Sequence, residues 1–255
     1  MGYISRGGLG AVTILAAGGL LGACPVSSLE AEEPQGENVP KVEGSVAAAF
    51  CSKYIWRGQN LGDGPVIQPS GSVGYRGFSG SVWANYDLDE GDEWTEVDYT
   101  LDYTTSLAGV SGSLEALSVS AGYTYYTFPP LTHHPEIGVH DDSHEVYGGV
   151  SFDTLLSPSL TVYWDFEQGD GVYYELGIGH GIPLGAAELS LGGTVGYNDG
   201  QWGYDSSFSA AVVSAAVSVP VTQGLTWGAS AAASLALDSQ YENEVFFGTC
   251  LTFGF

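Results

Sequence analysis

The sequence predicts an all-β chain closed into a transmembrane, antiparallel up-and-down barrel of about twelve strands. Three observations carry this. From Gly44 to the end, apolar and polar residues alternate in runs of strand length. After the N-terminus no stretch approaches the roughly 20 apolar residues of a spanning helix, so a membrane would be crossed by strands. The last segment sets Val245, Phe247, Thr249, Leu251, Phe253 and Phe255 on one apolar face, with Phe246, Gly248, Cys250, Thr252 and Gly254 on the other.

Composition narrows the function. Five Lys and Arg against 30 Asp and Glu give a net charge of −25, the wrong sign for nucleic acid. Such acidity can also mark disorder, but 44% hydrophobic and 13% aromatic residues favour a folded chain.

Residues 1–23 read as an export signal: Arg6, an apolar run from Leu9 to Leu21, then small residues. The run ends Leu21-Gly22-Ala23-Cys24, which resembles a lipobox and would make Cys24 a lipidated N-terminus. Ordinary signal-peptidase cleavage nearby is the other reading. Residues 24–43, rich in Glu and Pro, are expected to be a flexible periplasmic linker. The barrel follows over 44–255.

The expected strands run in order. Strand one covers 45–57, with Val46, Ala48, Phe50, Tyr54 and Trp56 outward and Cys51, Lys53 and Arg57 inward. Strand two (65–76) points Gln68 and Arg76 inward and ends at a tight turn on Gly77. Strand three (78–88) points Trp83, Asn85 and Asp87 inward. Strand four (94–105) splits cleanly, Val97, Tyr99, Leu101 and Tyr103 out and Glu96, Asp98, Thr100 and Asp102 in. Strands five (116–127), six (143–153, Glu145 inward), seven (158–168, Asp165 and Glu167 inward), eight (172–182, Glu175 inward) and nine (187–198) follow, with a Gly169-Asp170-Gly171 hairpin between seven and eight. Strands ten (205–219) and eleven (225–237) are rich in Ala, Ser and Val, which leaves their facing open. Strand twelve is the terminal one.

The terminal aromatic strand resembles that of bacterial outer-membrane barrels, whose assembly machinery reads such an end; Phe255 would be that signal. With the N-terminus in the periplasm, connections at 58–64, 89–93, 128–142, 169–171, 199–204 and 238–243 face outward, and those at 77, 106–115, 154–157, 183–186 and 220–224 face the periplasm.

Strands one to three resemble the TorF-type porins, a family of small Gram-negative outer-membrane barrels. The matching residues are Ser52-Lys53-Tyr54-Ile55-Trp56-Arg57-Gly58, Gly64-Pro65-Val66-Ile67-Gln68, and Gly77-Phe78-Ser79-Gly80 with Val82-Trp83-Ala84. The resemblance implies an outer-membrane location and a channel role. It carries over no catalytic residue and no cofactor.

Candidate chemistry falls into three groups. Lys53, Arg57 and Arg76 form a small basic arc facing a wide acidic one of Asp87, Glu96, Asp98, Asp102, Glu145, Asp165, Glu167 and Glu175. A pore so lined would prefer cations and pass small hydrophilic solutes by diffusion; the same charges, paired with one another, would instead plug a structural barrel. The 128–144 loop holds His133, His134, His140 and His144 beside acids, a set suited to zinc, copper or nickel without a recognised spacing. Pairing Val46 with Phe255 would set Cys51 opposite Cys250, where export permits a disulfide. An adhesive or metal-binding barrel, and an enzyme using Asp141, Asp142 and His144, are the competing classes.

Overall fold

A computed structural model describes residues 41–89, 93–129 and 141–255. Twelve strands close into one antiparallel barrel: β1 (Glu43–Cys51), β4 (Val66–Tyr75), β5 (Phe78–Asp87), β6 (Glu93–Ser106), β7 (Leu117–Thr127), β8 (Ser143–Phe152), β9 (Ser159–Asp165), β10 (Gly171–Leu184), β11 (Ala187–Asp199), β12 (Ser207–Thr222), β13 (Leu225–Ala236) and β14 (Glu244–Gly254). Each wall strand pairs with its sequence neighbours. The seam is β1 against β14, with Ser45 opposite Gly254 and Gly44 and Phe255 exchanging both backbone hydrogen bonds at 2.9 Å. Closure leaves no strand edge exposed, which a membrane requires.

The outer surface is an apolar band with aromatic residues towards both rims, as expected of a barrel that faces lipid. Leu101, Leu176, Ile178, Val213 and Leu251 stand exposed between the rims. Near the β1–β14 seam end stand Tyr75, Phe78, Tyr103, Phe152, Trp227, Phe253 and Phe255. At the other end stand Phe50, Trp94, Tyr99, Trp164, Phe166, Phe208 and Phe247. Rings pair across neighbouring strands, such as Phe78 with Tyr103 at 4.4 Å and Tyr86 with Trp94 at 5.0 Å. The expected outward face of the last strand is the observed one.

Connections at the Phe255 end include three tight turns. Tyr75 pairs with Phe78 across Arg76 (φ 52°) and Gly77 (φ 83°), the two successive positive φ values of a type I′ turn. A Cβ on Gly77 would collide with the Thr104 carbonyl oxygen. The β10–β11 and β12–β13 turns likewise use Gly185 (φ 71°) and Gly224 (φ 80°).

One expected strand is corrected. Strand one does not run to residue 57. It ends at Cys51, and the chain turns inward to form a hairpin of β2 (Tyr54–Trp56) and β3 (Gln59–Gly62), a two-stranded sheet of its own. Trp56 pairs with Gln59 across Arg57 (φ 50°) and Gly58 (φ 83°), the same Arg-Gly turn as at 76–77. Tyr54 and Trp56, expected to face outward, are buried inside the barrel.

Candidate functional site: the hairpin in the lumen

Inward-facing residues divide the lumen into two zones. Towards the Phe255 end the lining is small and polar. Ser70, Ser72, Ser81, Thr100, Ser120, Gly149, Ser159, Gly177, Gly192, Ser214 and Ser230 are half-buried there. Asp102 and Glu175 are half-buried in the same zone. Asp102 accepts from the Tyr147 hydroxyl at 2.8 Å and from Thr104 Oγ1 at 2.9 Å. Among the described residues no ion pair reaches Asp102 or Glu175.

The other zone is filled by the hairpin. Tyr54 packs on Trp83 of β5 (5.5 Å between ring centroids) and donates to Glu96 of β6 at 2.8 Å. Trp56 sits edge-on to Tyr126 of β7 at 6.1 Å. Ile55 clusters with Ala232 of β13 and Phe246 of β14. A Cβ on Gly58 would lie 2.8 Å from that of Ala210 on β12. The hairpin thus reaches walls on several sides of the bore.

The tip residue, Arg57, is wholly buried and so needs a buried counter-charge. Its Nη1 and Nη2 donate to Glu145 Oε2 and Oε1 at 2.7 and 2.8 Å, a bidentate pair with both side chains at most 1% exposed. Nη1 also donates to Gln201 Oε1 at 2.6 Å, while Gln201 Nε2 and the Tyr126 hydroxyl donate to Glu145 at 2.9 Å each. The guanidinium lies 4.4 Å from the Trp56 ring centroid, 4.1 Å from that of Tyr163 and 4.9 Å from that of Tyr173. Gln201 is placed by Asn198, which accepts its backbone N–H at 2.7 Å.

The base of the hairpin is pinned separately. Lys53 donates to Asp63 at 2.9 Å and to Glu244 of β14 at 2.8 Å. These partners, Glu244 foremost, raise the Lys53 pKa, and Lys53 with Asn60 lowers that of Asp63.

The candidate residues therefore separate by role. Arg57 and Glu145 form one buried latch, and Glu96 holds Tyr54. Asp98 Oδ1 is buried without a hydrogen-bond partner. Asp102 and Glu175 line the small-residue zone. Asp87 lies at the mouth, where its Oδ1 accepts from the Asp89 backbone N–H at 2.7 Å. Three depart from the expected lining. Arg76 sits on the tight turn with its guanidinium 5.3 Å from the Tyr75 ring centroid, because β4 ends before it. Asp165 is fully buried and organises the next turn, accepting from Ser143 Oγ and from the backbone N–H groups of Glu167 and Gly169. Glu167 lies past the end of β9 and pairs with His144 at 3.2 Å on the outer rim.

Of the histidines, His133, His134 and His140 lie outside the described residues. His144 faces outward, stacked 4.7 Å from Tyr125 and bonded through Nδ1 to the Tyr123 hydroxyl at 2.5 Å. Asp142 instead accepts from Tyr125 and from the Phe128 N–H. Among the described residues no group of three or more His, Cys, Asp or Glu converges on a metal position.

The expected cysteine register is off by two. Ala49, not Cys51, is opposite Cys250, and Cys51 faces Gly248. The Cys51 thiol donates to Gln68 Oε1 at 3.5 Å, so the Cys51–Cys250 bridge is not made. Cys24 lies outside the described residues.

Sequence reasoning did not find Tyr126, Tyr163, Tyr173 and Gln201 as the seat of Arg57. The repeated Arg-Gly pair at 57–58 and 76–77 was the available signal that residues 54–62 turn back on themselves.

No protein-family profile matches the chain, and no curated protein matches it. Solved structures do. The barrel is similar to LpxR from Salmonella typhimurium (TM-score 0.52, 8% identity, covering 82% of this chain and 99% of that one). It is also similar to the NanC porin (TM-score 0.51, 11% identity, 82% and 98%). An outer membrane channel from Pseudomonas putida F1 aligns at TM-score 0.49 and 11% identity, covering 88% and 99%. At such identities the likeness shows the fold: a twelve-stranded barrel of the outer-membrane kind.

Proposed function

We propose that this protein is a channel of the Gram-negative outer membrane that passes small hydrophilic solutes by diffusion and prefers cations. The carrying observation is the built lumen: a zone of Ser, Thr and Gly with Asp102 and Glu175, filled towards the opposite rim by a hairpin whose tip is seated on the Arg57–Glu145 ion pair. The walls supply a polar path, and their carboxylates favour positive charge. Conduction then requires the hairpin to leave its seat, so the resting barrel opens rarely. The local match to the TorF-type porins supports the same reading, and the terminal aromatic strand, which resembles that of outer-membrane barrels, supports insertion by the barrel-assembly machinery with Phe255 as signal. A signal peptide over 1–23, a linker over 24–43 and processing at Cys24 belong to this proposal. So does the absence of a cofactor.

Planar-bilayer recording of the refolded protein in a salt gradient tests it. The expected result is channel events whose reversal potential has the sign of cation preference. The buried latch favours one second reading, a non-conducting barrel with structural, adhesive or metal-binding duty. Silence from a demonstrably folded barrel, persisting after the latch is broken, would establish that reading instead.

A further inference from the structure

The wall builds the seat of the hairpin tip, and the hairpin supplies mainly its occupant. Tyr126 of β7, Glu145 of β8, Tyr163 of β9, Tyr173 of β10 and Gln201 of the β11–β12 connection converge on the Arg57–Glu145 pair. We infer that this seat is a binding site for a small solute carrying a guanidinium and a second cationic group, which takes the place of Arg57 and thereby releases the hairpin.

The first ground is chemistry. Both Glu145 oxygens engage Nη groups, at 2.7 and 2.8 Å, and Gln201 Oε1 adds a third acceptor at 2.6 Å. Two tyrosine rings lie 4.1 and 4.9 Å from the guanidinium carbon. Such a set reads a planar donor fork, which an ammonium does not present.

The second is that the wall holds the seat together. Asn198 accepts the Gln201 backbone N–H at 2.7 Å and donates to the Gln201 carbonyl at 3.2 Å. The Tyr173 hydroxyl bonds to Ser209 Oγ at 2.9 Å, and the Tyr163 ring packs between those of Tyr147 and Tyr173. Of the rings around the guanidinium only Trp56 comes from the hairpin. Most of the site therefore survives departure of the tip.

The third is the imperfect fit of Arg57 itself. Its Nε is buried with no hydrogen-bond partner, a costly state for an N–H donor. The turn fixes the pose of Arg57; an untethered solute is not bound to it.

The fourth is the approach. Glu175 follows Tyr173 by two residues on β10, about 7 Å nearer the small-residue zone, and faces inward with it. Among the described residues it makes no ion pair, so it is placed to take the second cationic group.

The inference deepens the channel reading. The site rests on the geometry of the seat, and only the effect on conductance rests on that reading. The test uses agmatine, with 1,5-diaminopentane as a dication lacking guanidinium. Isothermal titration of the refolded full chain in detergent should show saturable one-to-one binding of agmatine to Arg57→Ala. The diamine should bind about tenfold more weakly or worse, as should agmatine to Arg57→Ala with Glu145→Gln. Adding Glu115→Gln, on the exposed connection before β7, should change nothing. Wild type should bind agmatine more weakly than Arg57→Ala does, because Arg57 must first leave. In bilayers agmatine should raise the opening frequency of wild type, which needs no variant to fold, and should block Arg57→Ala. Absence of saturable binding to folded Arg57→Ala would overturn the inference, as would equal binding of the diamine or equal loss with Glu115→Gln. Binding as expected to a barrel that never conducts would support the site and count against the channel reading alone; conductance indifferent to agmatine, with no binding, would overturn the site alone.

Discussion

Replacing Glu145 by Gln should unseat the hairpin without unfolding the barrel. Glutamine keeps the shape of the side chain but removes the charge opposite Arg57, which is itself wholly buried. Breaking one partner of a buried pair typically costs about 3–5 kcal/mol, because the other charge is left uncompensated. At about 1.4 kcal/mol per factor of ten, the ratio of seated to withdrawn hairpin falls by about 10²- to 10⁴-fold. The wall loses little by comparison, since its backbone ladder does not involve the Glu145 side chain. Trypsin offers a clean assay. The chain has only five Lys and Arg, and the seated hairpin covers Arg57. New cleavage after Lys53 and Arg57, with Arg76 at the opposite turn as reference, would report withdrawal. Conductance should rise in parallel. The double variant Arg57→Leu with Glu145→Leu should be cut more slowly than either single variant, because no buried charge is then left alone. If Glu145→Gln is as resistant to trypsin as wild type and conducts no more, the latch does not hold the hairpin.

Other outcomes follow from the same geometry. Asp102→Asn with Glu175→Gln should move the reversal potential towards zero selectivity while leaving folding intact, as read by gel mobility before and after heating. Leu101→Arg, on the lipid face at mid-strand, should destabilise the barrel by about 2–4 kcal/mol in denaturant titration; an unchanged midpoint would contradict the assigned facing. The pin at the hairpin base should weaken on acidification. The Asp63 pKa is lowered in the fold, so its contribution is present above the unfolded carboxylate range and is lost as pH falls through the folded value. Tryptic or peptic clipping of the hairpin should therefore gain an acid-dependent component that Asp63→Asn lacks.

Twelve wall strands were legible because lipid outside and a polar lumen inside impose a two-residue period on each of them. β6 shows this best, with Tyr99 and Leu101 out and Thr100 and Asp102 in. The period carries less information where side chains are small. In β12 and β13, Ala and Ser serve either face, and register comes from the neighbours. The hairpin was misread for a related reason. Tyr54 and Trp56 alternate as a lipid-facing pair would, and a ring buried in a lumen looks in sequence like a ring buried in lipid. Only the Arg57-Gly58 turn distinguishes the two. The expected inward acids do not form one arc, and Glu167 lies past the end of β9 on the outer rim. Glu145 closes the latch and Asp165 caps a turn, because long-range partners such as Arg57 and Ser143 decide what a carboxylate does.

The most direct measurement is single-channel conductance of the refolded barrel before and after residues 53–64 are replaced by a short Gly-Ser linker, recorded in the same salt gradient. We predict rare, small openings for the intact chain and steady, larger, cation-preferring conductance once the hairpin is gone. A folded barrel that stays silent without its hairpin, or that conducts identically with and without it, would contradict a channel closed by its own hairpin.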